Sequence, residues 1–143
     1  MNLVVDANVI VAALIKDSTT RRLLANPALS LYSPDFLFEE LTGHEAEISK
    51  KAGLDSVEFT SLLDSISKFV KVVNRAVYEN YLVESADVVK DPDDVAYLAL
   101  ALALSGCGVW SHDKNFLSKS QELFTKFSIK VFTTNDLVLL VKV

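Results

Sequence analysis

Pro92-Asp93-Asp94-Val95-Ala96-Tyr97-Leu98-Ala99-Leu100-Ala101-Leu102-Ala103-Leu104-Ser105, followed by Gly106-Cys107-Gly108-Val109-Trp110-Ser111, decides the fold of this chain. Alanine and leucine are strong helix formers, proline is tolerated at a first helical position, and the run is apolar on every side. A helix with no polar face belongs inside, packed on a sheet. Gly106 and Gly108 mark its end, and Gly108 to Ser111 reads as a buried strand. A helix leading by a short turn into a strand is half of a βαβ unit.

The same alternation extends outward. Asn2 to Asp6 reads as a first strand, with helices from about Asn8 to Lys16 and Ser18 to Asn26, then a strand from Leu29 to Ser33. Pro34 is expected to open a helix that carries Phe36, Leu37, Glu40 and Leu41 and runs toward Gly53. Val57, Phe59, Leu62, Leu63 and Ile66 keep helical spacing between about Asp55 and Phe69. Val70 to Val73 is a third strand, Val77 to Ser85 a helix, Ile129 to Phe132 a last strand, and Asn135-Asp136 the start of a terminal helix. Strands alternating with helices predict an α/β fold, a three-layer α/β/α sandwich with a parallel β-sheet. With no linker or repeat in 143 residues, a single domain is expected over residues 1–143.

Half of the residues are apolar, which suits a sheet covered on both faces. The net charge of −5 argues against a protein that coats phosphates with a basic surface. It leaves room for a nuclease whose positive charge comes from metal ions. One cysteine, Cys107, and two histidines, His44 and His112, make no disulfide within the chain and no zinc-finger pattern, so a reduced, cytoplasmic setting is expected. Asp6 interrupts the apolar beginning and no basic segment precedes it, against a secretory signal, and no apolar run is long enough for a membrane span.

Four acids fall where such a fold gathers side chains at the carboxyl edge of its sheet. Asp6 ends the first strand and Asp113 follows Val109-Trp110-Ser111, while Asp94 and Glu40 sit in the first and second turns of helices whose N-termini point to that edge. Each has an ordinary alternative. Asp91, Asp6 and Asp113 suit N-caps, Asp93 complements a helix dipole, and Glu40 and Glu39 are equal by spacing as exposed helix residues. Asp94 differs, because Leu98 and Ala101 place it over an apolar face, where an unpaired carboxylate is costly. Two carboxylates about 5 Å apart repel by roughly 3 kcal/mol at an effective dielectric near 20. A divalent cation is the economical counter-charge, and oxygen donors alone favour Mg²⁺ or Mn²⁺ over Zn²⁺.

Val4-Val5-Asp6-Ala7-Asn8, Ser33-Pro34 leading to Glu39-Glu40-Leu41, Asp91-Pro92-Asp93-Asp94 before the alanine-leucine helix, and Trp110-Ser111-His112-Asp113-Lys114-Asn115-Phe116 together resemble a PIN domain. The resemblance covers nearly the whole chain and carries the family's acidic quartet to Asp6, Glu40, Asp94 and Asp113. Asn8 and Ser111 match its supporting polar residues, and Asp91 an acid present in some branches. His112 stands where a small residue is common, and Asn115 where a second acid is frequent. The resemblance implies a ribonuclease dependent on Mg²⁺ or Mn²⁺. It also implies kinship with the VapC-type toxins, which are restrained by an antitoxin protein and often homodimeric. A PIN scaffold without activity and a stand-alone RNA-processing nuclease are the alternatives. A haloacid-dehalogenase-like phosphatase lacks its second acid at Asn8, and a receiver domain lacks its phosphoacceptor where the middle strand ends in Asn74. Lys16, Arg21, Arg22, Lys50, Lys51 and Lys114 are candidate phosphate contacts that solvated surface explains better. Trp110 is expected in the core. The apolar faces of Asp55 to Phe69 and of Leu137-Val138-Leu139-Leu140 are candidates for a symmetric dimer interface.

Overall fold

A computed structural model describes residues 1–15 and 18–141. Lys16, named above as the end of a helix and as a phosphate contact, lies outside the described residues. β1 (Asn2–Val5) leads into α1 (Ala7–Ile15) and α2 (Ser18–Leu24), and β2 (Ser30–Pro34) into α3 (Leu37–Gly43), α4 (Glu45–Ala52) and α5 (Ser56–Ser67). After β3 (Val70–Val73) come α6 (Arg75–Tyr78), a 3₁₀ turn at Glu79–Tyr81, α7 (Leu82–Ala86) and α8 (Pro92–Ala103). β4 (Gly108–Trp110), α9 (Lys114–Leu117), α10 (Ser120–Phe127), β5 (Val131–Phe132) and α11 (Thr134–Val141) complete the chain.

All five strands are parallel, in the order β3-β2-β1-β4-β5. This is the α/β architecture expected from the sequence, a parallel sheet flanked by helices. Leu3, Val4, Val5, Val109 and Trp110 have no exposed surface, as central strands covered on both faces require. α8 packs against β1, β2 and β4 and buries Tyr97 through Ala101. Gly108 opens β4 because nothing larger fits: a Cβ there would stand 2.7 Å from the Phe132 ring and 3.0 Å from the Lys130 carbonyl oxygen. Among the described residues no helix is long and apolar enough to cross a membrane.

Several boundaries differ from expectation for local reasons. Pro34 ends β2, opposite Val73, rather than opening a helix, since its fixed φ suits extended backbone equally well. The helix expected from Pro34 to Gly53 is broken at His44, whose φ of −104° and ψ of 15° separate α3 from α4. α8 stops at Ala103, and Ser105 and Gly106 turn out of the helix at φ 33° and 84°. The helix placed at Val77 to Ser85 is three short turns. β5 begins at Val131, after Ile129, and α10 forms where no helix is expected above. α5 starts one residue later than expected because Asp55 is its N-cap, in a reciprocal pair with Glu58.

Candidate metal centre

β1 runs on through α1 to β2 on one side of the sheet, while β4 pairs with the other side of β1. The strand order therefore reverses between β1 and β4, where open α/β sheets leave a crevice at their carboxyl ends. Val5 lies beside Trp110, so the residues that follow each strand emerge side by side. The Asp6 amide donates to the Trp110 carbonyl at 3.0 Å, carrying the ladder one residue further.

Asp6 is held firmly. The Ser111 hydroxyl donates to its Oδ2 at 2.7 Å and the Asn8 amide to its Oδ1 at 3.2 Å. Ser111 Oγ also accepts the Asp113 amide at 2.9 Å, so one buried hydroxyl fixes both acids. Asp113 caps α9 by accepting the Asn115 amide on Oδ1 at 2.9 Å. Asp94 enters from the first turn of α8 and is only 4% exposed. One carboxylate oxygen from each of Asp6, Asp94 and Asp113 lies within 4.8 Å of the other two.

This grouping lacks compensation. Among the described residues none of the three acids is ion-paired, and Asp94 Oδ2 is buried without a hydrogen-bond partner. Burial pushes the Asp94 carboxyl up to about 8, and the carboxylates of Asp113 and Asp6 push the same way. Burial also raises Asp6, against the lowering effect of the Ser111 and Asn8 hydrogen bonds. A largely buried cluster of oxygen donors without ion pairs fits a hard divalent cation, which would supply the missing charge and the missing partner for Asp94.

The other residues singled out in the sequence fall around this group. Glu40, on α3, is outside the three-acid grouping. It is half-buried, with Oε2 buried and unpartnered, and it is raised by burial and then by the charges of Asp93 and Asp6. Phe36 meets the Tyr97 ring edge-on at 5.9 Å, which pins the start of α3 to α8. Asn8 contributes its backbone amide to Asp6, while its side chain is exposed. Asp91 is exposed and caps α8 through the Asp93 amide at 3.0 Å, the ordinary reading of that residue. Asp93 is exposed.

Arg21 is committed elsewhere, donating from Nε to the Ala13 carbonyl and from Nη2 to that of Leu14 at 3.2 Å, at the carbonyl end of α1. Lys51 pairs with Glu47 at 3.1 Å, and Arg22, Lys50 and Lys114 are exposed. Trp110 is fully buried and its indole donates to Thr134 Oγ1 at 3.1 Å, which ties β4 to α11. The exposed His112 shares that hydroxyl through Nε2 at 2.5 Å.

A family model described as a PIN domain matches residues 4–131. The chain belongs to the PIN domain family. No curated protein matches it. In this PIN domain the match runs from β1 to β5, so it includes all three elements that deliver the acids. PIN domains are typically metal-dependent nucleases, and the acids of β1, α8 and the β4 loop supply the donor set such chemistry uses.

Proposed function

We propose that the protein is a ribonuclease that hydrolyses RNA phosphodiester bonds with Mg²⁺ or Mn²⁺, and that it is the toxin of a toxin–antitoxin pair. What supports the hydrolytic reading is one observation: Asp6, Asp94 and Asp113 converge from three separate elements within 4.8 Å, the first two buried and, among the described residues, none of them ion-paired. Asp6, Asp94 and Asp113 would hold the ion. When bound, it would neutralise charge on the scissile phosphate and lower the pKa of water at the site. The chain's own contribution is placement. Ser111 fixes Asp6 and the Asp113 loop, α8 carries Asp94 into the crevice, and Glu40 stands at the side to accept a proton from an attacking water.

The toxin reading rests on the family resemblance alone, with an antitoxin protein as partner. A scaffold without activity and a stand-alone processing nuclease are the competing readings. Cleavage of single-stranded and structured RNA with Mg²⁺, Mn²⁺ or EDTA tests the enzyme. Cleavage is expected with either metal and none in EDTA, and undiminished cleavage in excess EDTA ends the metal reading.

Ser111→Ala removes the donor to Asp6 and the acceptor of the Asp113 amide together. Losses of about 10- to 100-fold in metal affinity are typical when such supporting groups are removed, and Mn²⁺ titration calorimetry is expected to show a loss in that range. Unchanged affinity would remove Ser111 from the site.

A homodimer is also proposed. Leu139 and Leu140 on α11 are 80% and 54% exposed and lie beside Phe124 of α10, whereas α5 buries Phe59 and Ile66 within the chain. Light scattering is expected to give twice the monomer mass, and Leu139→Glu to reduce it to the monomer. A monomer at high micromolar concentration rules this out.

A further inference from the structure

Beside the acid cluster, between α1 and the α3–α4 corner, lies a cleft of about 200 Å³. Val11, Ile15, Leu41 and Ile48 supply apolar walls, and Asn8, Glu40, His44, Glu47 and Lys51 supply polar groups. Nothing in the placement of the acids requires this cavity.

We propose that the cleft seats one RNA base, that of a nucleotide flanking the scissile phosphate. This deepens the ribonuclease reading and rests on it. Three observations carry it. The cleft borders the acid centre: none of the three clustered acids lines it, but Ala7 and Asn8 on its wall directly follow Asp6, and Glu40 lines it while feeling the Asp6 charge. A phosphate held at the acids therefore brings its own nucleoside to the cleft mouth.

The volume falls below the roughly 300–1,000 Å³ of sites for larger ligands and suits a single planar ring. Apolar walls receive the ring faces, and the exposed Asn8 amide offers the donor and acceptor pair that a base edge uses.

Charge selects the base over a second phosphate. Glu40 and Glu47 face the cleft, and Lys51, the lysine on its wall, is engaged with Glu47 at 3.1 Å, with the His44 ring 3.7 Å from the same carboxylate. A further phosphate would meet uncompensated carboxylate, whereas a neutral base would not. The broken helix at His44 matters here, because a continuous helix from Leu37 to Ala52 would not form this corner.

The test uses short single-stranded oligoribonucleotides with an abasic ribonucleotide on one or the other side of the cleaved bond, with the wild-type protein in Mn²⁺. An abasic site on one side is expected to lower kcat/KM by about 10-fold or more, the scale of losing one apolar-seated ring, and on the other side to have little effect. Val11→Phe, at a half-buried position on the cleft wall, fills the cavity. It is expected to cost a similar factor on intact RNA and nothing further on the sensitive abasic substrate, because the two changes remove the same contact. Equal rates on intact and both abasic substrates with wild-type protein overturn the proposal, whatever Val11→Phe does. Additive losses place the base elsewhere. If wild-type protein cleaves no RNA in Mn²⁺, the ribonuclease reading itself has failed and the base site falls with it.

Discussion

Asp94→Asn is expected to lower metal-dependent RNA cleavage by about 100-fold or more, while Asp93→Asn, one residue earlier on α8, changes it less than about 3-fold. The two residues are equal as letters and opposite in setting. Asp93 is exposed in the first helical turn, where its charge interacts favourably with the helix dipole, an effect worth about 0.3–1 kcal/mol. Asp94 is buried, lies within 4.8 Å of two other carboxylates and leaves Oδ2 without a partner. An amide keeps its shape and one oxygen but removes the charge that a cation requires. Circular dichroism checks that both variants fold, and initial rates at saturating Mn²⁺ give the ratio. Equal losses at the two positions would mean that first-turn charge, rather than ligation, supports activity.

The sequence is most informative where one residue type has one use. Asp94 could be separated from Asp93 because Leu98 and Ala101 place only Asp94 over an apolar face, and the structure buries it. Asp6 and Asp113 were harder, because an N-cap and a metal ligand call for the same residue in the same place. The structure dissolves that choice for Asp113, whose Oδ1 caps α9 while the carboxylate also reaches the acid group. Element order brings Glu39 and Glu40 alike to the carboxyl edge of the sheet, and only the family resemblance singles out Glu40. Order along the chain gives the edge of the sheet, but the break at His44 and the Phe36–Tyr97 contact set where on that edge it stands. The cleft was illegible because its walls come from helices whose packing no local pattern encodes. Arg21 likewise resembled a phosphate contact, since nothing local shows that the end of α1 needs its donors. α10 is short, and of Leu123, Phe124 and Phe127, which keep helical spacing, only Leu123 is fully buried, so its pattern is legible but slight.

Without metal, wild-type protein is expected to lose stability as pH rises from about 5 to 9, and Asp94→Asn to lose much less. The folded-state pKa of Asp94, about 8, lies above its ordinary value of 3.8, so the folded protein keeps a proton that the unfolded chain releases. The stabilisation is fully present below about pH 4 and disappears as pH rises through about 8. Asp6 and Glu40 are raised as well and add to the same slope. At pH 5 the Asn variant should be only modestly more stable than wild type, because the folded protein still holds the Asp94 proton and the unfolded chain has only begun to gain from releasing it. At pH 9 the variant should be the more stable by at least about 1 kcal/mol, or roughly 3–5 °C in a chain of this length. Asparagine is as good an N-cap as aspartate, so Asp113→Asn keeps the α9 cap and should behave similarly, whereas Asp113→Ala adds a capping loss of about 1 kcal/mol. A divalent ion at 100 times its dissociation constant stabilises the folded state by about 2.7 kcal/mol and displaces the retained proton, which raises and flattens the wild-type profile. The Asn variant lacks one of the three proposed ligands and should respond weakly. Melting curves of wild type and Asp94→Asn across this pH range, in EDTA and in Mg²⁺, read all four outcomes. Parallel pH profiles for the two proteins in EDTA, with no response of either to Mg²⁺, would show that the acids are not electrostatically frustrated and would remove the physical basis for a metal centre.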